Sequence, residues 1–151
     1  MIETKKKLSF YLMADRMMNR GVFKYSLFTK MRMLLIKDYV MEYLTVYRKY
    51  SYYKSLCAKK KLSLNTIHIY VLMLYFRRKY GDMGLKCGFS IAPNVLGYGV
   101  VIPHFGTIVV GPTNKIGNYA CLHTCTCITA NGKQIGNILQ YVQELKLLLL
   151  L

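Results

Sequence analysis

At 151 residues, with hydrophobic residues at 54% and a formal charge of +16, the chain is too apolar for a disordered polyelectrolyte and long enough for one domain with an extension. The charge is uneven: residues 1–80 hold 18 Lys and Arg against 4 Asp and Glu, whereas residues 81–151 hold 4 against 2. Tyrosine divides the same way, 11 against 3, so two compositional halves meet near Gly81-Asp82-Met83-Gly84.

In chain order, Lys5-Lys6-Lys7 is followed by SFYLMADRMMNR, an interrupted segment and not the apolar run and small-residue cleavage site of a secretory leader. Five cysteines (Cys57, Cys87, Cys121, Cys125, Cys127) are an odd number. Together these features predict a reduced, cytoplasmic protein. Helices are predicted over residues 23–56 and 62–80. In the first, Leu34, Leu35, Tyr39, Met41 and Leu44 recur at helical spacing, with Arg32, Lys37 and Glu42 interleaved. In the second, Ser63 and Asn65 are the expected caps, Arg77, Arg78 and Lys79 suit the negative end of the helix dipole, and Gly81 is the expected stop.

LSLNTIHIYVLMLYF, residues 62–76, carries Asn65 and His68 and is shorter than the roughly 20 apolar residues of a bilayer span. No transmembrane helix is expected there. Lysines precede it and arginines follow it, so it is either buried against an oligomer partner or the second half, the preferred reading, or laid on a membrane surface. The same reasoning makes His68 structural. Nucleic acid is not the expected partner, because no base-reading motif accompanies the basic, Tyr-rich surface.

From residue 87 the period changes. Ile102 and Ile108 are six apart; Val110, Ile116, Leu122 and Ile128 continue at six after a slip of two, and Ile135 follows at seven. Gly111, Gly117 and Gly136 each follow one of these aliphatics. Neither a helix nor a hairpin strand yields a spacing of six, whereas a parallel β-helix does, one aliphatic per six residues pointing inward. Cys121, His123, Cys125 and Cys127 form C-x-H-x-C-x-C, which lacks the paired spacing of structural zinc sites, so no metal is expected.

The segments GFSIAPNV (88–95), VIPHFGTIVV (101–110), NKIGN (114–118) and LHTCTCI (122–128) together resemble the hexapeptide-repeat acyltransferases, and among them the serine O-acetyltransferases and their relatives in surface-polysaccharide clusters. The resemblance covers residues 87–137 and implies a left-handed parallel β-helix, here of about three coils. The expected fold class is therefore β with a helical N-terminal region: a basic helical part over 1–84, the β-helix acyltransferase domain over 85–137 and a Leu-rich tail over 138–151. It also implies acetyl-CoA as substrate, a homotrimer, and a place in cysteine biosynthesis if the acceptor is serine.

Residue by residue, the resemblance makes His104 the catalytic base, in the segment His104-Phe105-Gly106-Thr107. A neutral imidazole can take the proton of an attacking hydroxyl and return it to the leaving thiolate, contributing roughly 10²–10⁴ in rate. Ser90 and His123 fall on the acceptor side, and Gly106, Thr107, Thr129, Ala130 and Lys133 fall near the coenzyme. Pro103 stands where the serine enzymes carry an aspartate, and Ser90-Ile91-Ala92-Pro93 stands where they carry Asp-Ile-His-Pro, so a sugar hydroxyl is an acceptor alongside serine. After Asn137 the six-residue texture gives way to ILQYVQELKLLLLL, expected either to cap the coil as a short helix or to mark a truncated copy. The alternative is a catalytically inactive, basic scaffold that binds an anionic polymer or a membrane surface.

Overall fold

The computed structural model describes residues 2–22, 24–129, 132, 134–136 and 140–141. Four helices come first: α1 (Lys5–Arg20), α2 (Leu27–Leu35), α3 (Tyr39–Lys59) and α4 (Ile67–Cys87). Seven short strands follow: β1 (Phe89–Ile91), β2 (Ile108–Val110), β3 (Lys115–Ile116), β4 (Cys121–Leu122), β5 (Thr126–Ile128), β6 (Gln134–Ile135) and β7 (Gln140–Tyr141). They pair in parallel as three small sheets, β1-β2-β5, β3-β6 and β4-β7.

Local chemistry sets the helix ends. Thr4 accepts from the Lys7 amide at 3.1 Å and opens α1, and Gly21 closes it in the left-handed conformation. The α1 helix forms where the sequence shows only an interrupted apolar segment. Asp38 accepts from the Met41 amide at 3.2 Å, so the helix expected over 23–56 is two, α2 and α3, with a carboxylate cap starting the second. The expected caps of α4 are displaced too: Thr66 is the cap residue, and its hydroxyl bonds to Ser63 and Lys61 instead of to the helix. Gly81 does not stop α4. The helix continues another turn and a half because Met83, Gly84 and Cys87 are buried against β1, outweighing the roughly 1 kcal/mol propensity cost of a mid-helix glycine. Gly88, at φ +77°, ends it.

The expected fold class is overturned. The chain is not a β protein built on a left-handed parallel β-helix of about three coils. Among the described residues four helices make up about half, the sheets have two or three strands of two or three residues each, and none closes on itself. The period of six reports something narrower. Val110, Ile116, Leu122 and Ile128 are all buried, on β2, β3, β4 and β5 in turn, and Val110 pairs in register with Ile91 and Ile128. Such spacing marks inward positions on short parallel strands joined by turns. It says nothing of the helical half, where Val40, Met41, Tyr43, Leu44 and Tyr47 join the same core as the strand aliphatics.

Among the described residues no strand pairs with the backbone of residues 92–102 on the side facing the helices, and helix side chains bond to it there. Arg48 of α3 donates to the carbonyls of Leu96 (2.9 Å) and Gly97 (2.6 Å) and forms a two-pronged pair with Asp15 of α1 at 2.7 and 3.1 Å, both side chains 1% exposed. Asp15 also accepts from the Val100 amide at 3.2 Å. Buried backbone groups need such partners, each orphan costing about 1–3 kcal/mol.

Candidate functional site

His104 lies in a turn pinned on both sides. Upstream, Asn19 of α1 accepts from the Ile102 amide at 3.1 Å and donates to the Val100 carbonyl at 2.7 Å. Downstream, the Gly106 amide donates to the Cys87 carbonyl at 2.8 Å and the Ile108 amide to the Gly88 carbonyl at 3.1 Å. Between these anchors Pro103, His104 and Phe105 project into solvent. A histidine in an apolar run is thus an exposed one, not a core residue.

The turn borders a cleft of about 530 Å³ lined by Pro103 and Phe105 on one side and by Arg20, Tyr25, Lys37, Asp38 and Tyr39 on the other. That volume lies in the range of small-molecule sites. His104 is exposed and is not itself among the lining residues, although both of its chain neighbours are. Opposite, Arg20 donates to Asp38 at 2.5 Å, a bond that holds the guanidinium above its ordinary pKa against partial burial. Asp38 is fixed in turn by capping α3. The cleft therefore presents an apolar wall, two phenol rings, a cation held by a carboxylate, and Lys37.

The other expected site residues are placed as follows. Gly106 has φ +151°, and a Cβ there would meet Thr124 Cγ2 at 2.7 Å, so glycine is required where this turn packs on the turn carrying His123. Its amide is engaged by Cys87, leaving geometry and close packing as its visible contribution. Thr107 is exposed just before β2, and Thr129 just after β5. Ser90 sits in an outward row with Val109 and Cys127 across β1, β2 and β5. His123 is half-buried, with Nε2 3.5 Å from Cys121 Sγ and its carbonyl accepting from the Thr126 hydroxyl at 2.6 Å. None of Ser90, Thr107, His123 and Thr129 lines the cleft. Ala130 and Lys133 lie outside the described residues, as does most of the Leu-rich tail, of which the backbone of β7 pairs with β4. His68 is exposed on α4.

Among the described residues no three His, Cys, Asp or Glu side chains are grouped to hold a metal ion. Cys125 and Cys127 are exposed, and burial pushes the Cys121 thiol up.

The residues that hold the site in place were hidden in the sequence. Asp15 and Asn19 are one helical turn apart, and Asp15 is one of only six acidic residues facing 22 Lys and Arg, which is the faint signal they give. Burial alone would lower the Arg48 pKa, but the charge and hydrogen bonds of Asp15 leave it raised and the guanidinium charged. Among the described residues no helix is long and apolar enough to cross a membrane. Comparison with family models, with curated proteins and with solved structures gives no match for this chain.

Proposed function

We propose that the chain is an acetyl-CoA-dependent O-acetyltransferase, serine O-acetyltransferase-like, with His104 as general base on an acceptor hydroxyl of serine or a sugar. The observation that carries this reading is an exposed histidine on a turn anchored at both ends, whose flanking residues Pro103 and Phe105 line a cleft large enough for a small polar acceptor. The segment order around His104, which resembles that of the serine O-acetyltransferases, supports it. His104 takes the hydroxyl proton as the oxygen attacks the thioester carbonyl. The tetrahedral intermediate collapses with loss of the CoA thiolate, which receives that proton, and an O-acetyl ester and free CoA remain. The phenol of Tyr39 and the Arg20–Asp38 pair are polar groups suited to orient a hydroxylated acceptor.

Thr107, Thr129, Ala130 and Lys133 are proposed contacts of the coenzyme, Ser90 and His123 of the acceptor, and a homotrimer the working assembly. A reducing, cytoplasmic setting suits five cysteines that form no disulfide.

The test is release of free CoA from acetyl-CoA with serine and a panel of sugars as acceptors. The expected result is turnover with at least one acceptor that falls about 10²-fold or more in His104→Ala, with the melting transition unchanged. Turnover unaffected by His104→Ala removes the base assignment, and no CoA release with any acceptor, together with no acetyl-CoA binding by calorimetry, removes the activity.

A further inference from the structure

Helix α4 has two apolar faces, and only one of them is covered. Ile69, Met83 and Cys87 are buried, Tyr80 packs against the core, and Phe76 stacks on Tyr53 of α3 at 5.4 Å. The opposite face carries Ile67 (52% exposed), Val71 (58%) and Leu74 (55%), at the i, i+4, i+7 spacing of a helical stripe. The loop leading into it extends the stripe with Leu62 and Leu64, the latter 90% exposed. A helix that is apolar all round is ordinarily covered all round.

The charges around the stripe identify what covers it. Lys59, Lys60 and Lys61 lie exposed at one end, and Arg77 and Arg78 lie exposed at the other. Between Tyr43 and Gly81 the sequence holds nine Lys and Arg and not one Asp or Glu, and of these Arg48, Lys59 and Lys79 pair with Asp15, Glu3 and Glu42 from outside that stretch. A second copy of this chain docking there would bring two strongly cationic surfaces together, at the cost of like-charge repulsion. Single-stranded nucleic acid is captured by stacking on exposed aromatic rings, whereas this stripe is mainly aliphatic. Aliphatic side chains between two cationic clusters match an anionic bilayer, with the leucines entering the acyl boundary and the lysines and arginines remaining at headgroup level.

We infer that the exposed face of α4, with residues 59–64, docks in the plane of an anionic lipid surface. No crossing of the bilayer is involved, and the inference is independent of acyl transfer, since none of these residues borders the His104 cleft.

The experiment is co-sedimentation of the full chain with phosphatidylcholine vesicles, with and without about 30% phosphatidylserine, at low and at near-physiological salt. Binding is expected to the anionic vesicles, weakening with salt, and to be about tenfold or more weaker in Val71→Asp/Leu74→Asp. Lys60→Glu/Lys61→Glu, confined to an exposed loop, is expected to lose a similar factor and keeps the test decisive if the helix variant melts early. Equal binding to neutral vesicles, or binding unmoved by both variants, overturns the inference. So does a concentration-dependent dimer without vesicle binding that the α4 variant dissolves, since a second copy then covers the stripe. Binding of single-stranded oligonucleotide but not of vesicles overturns it as well.

Discussion

The Tyr47 hydroxyl donates to the Ala92 carbonyl at 3.1 Å and accepts from the amides of Val95 and Leu96, each at 3.2 Å. One side chain from α3 thereby serves three backbone groups of the 92–102 segment, a load normally carried by a neighbouring strand. The ring is fully buried, and burial pushes its pKa up to about 12. Burial raises Tyr43 in the same direction. A phenol with a raised pKa holds its proton more tightly in the folded state, so its stabilisation is complete below about pH 10, where the unfolded chain also keeps the proton. As pH rises from about 10 to 12 the unfolded chain loses the proton first, and Tyr47 should remove on the order of 3 kcal/mol over that window. Urea unfolding at stepped pH is expected to show a decline in this range that is smaller in Tyr47→Phe, which also starts from a lower stability at pH 7. An equal decline in both proteins would contradict the burial of this hydroxyl.

At the scale of elements, the Asp15–Arg48 pair ties α1 and α3 to the β side. A buried ion pair is often replaceable by apolar side chains of similar size without loss. This one differs because its members also bond to Leu96, Gly97 and Val100. Arg48→Met should cost about 3–5 kcal/mol, leaving a buried carboxylate uncompensated. The double variant Asp15→Leu/Arg48→Met should not recover it, because three backbone groups stay orphaned at about 1–3 kcal/mol each. Denaturant unfolding of the two variants checks this, and recovery to within about 1 kcal/mol of the parent would show that the backbone bonds matter little. The same pair shows why so much of the fold was illegible in sequence. The aliphatics from Ile102 to Ile128 announced themselves as buried because they recur at a nearly regular spacing along the chain. Asp15 and Arg48 meet across 33 residues, and Asp15 and Val100 across 85, so no local pattern joins them. Gly81 misled for a related reason: its weak helix propensity was visible, but the packing of Met83 and Cys87 that carries α4 past it was not. His104 was legible as a residue out of keeping with its neighbours. The cleft beside it was not, since Arg20, Tyr25 and Asp38 come from the far end of the chain.

At the scale of the whole molecule, the compositional boundary near Gly81 does not divide the core. Tyr43, Leu44 and Tyr47 of α3 pack in one cluster with Met83 and Cys87 of α4 and with Ile91, Val110 and Ile128 of the first sheet. Tyr80 adds a hydroxyl bond to the Ile91 carbonyl, and Tyr43 meets Phe89 edge-on at 4.9 Å. Helices and strands should therefore unfold together, and the backbone leading to His104 should be as stable as the helix that holds it. Native-state amide hydrogen exchange tests this most directly. The amides of Val95, Leu96, Val100 and Ile102, each bonded to a side chain of α1 or α3, are expected to exchange with the same opening free energy as the amides in the middle of α3. Exchange of those four through a markedly easier opening, with α3 still protected, would contradict it.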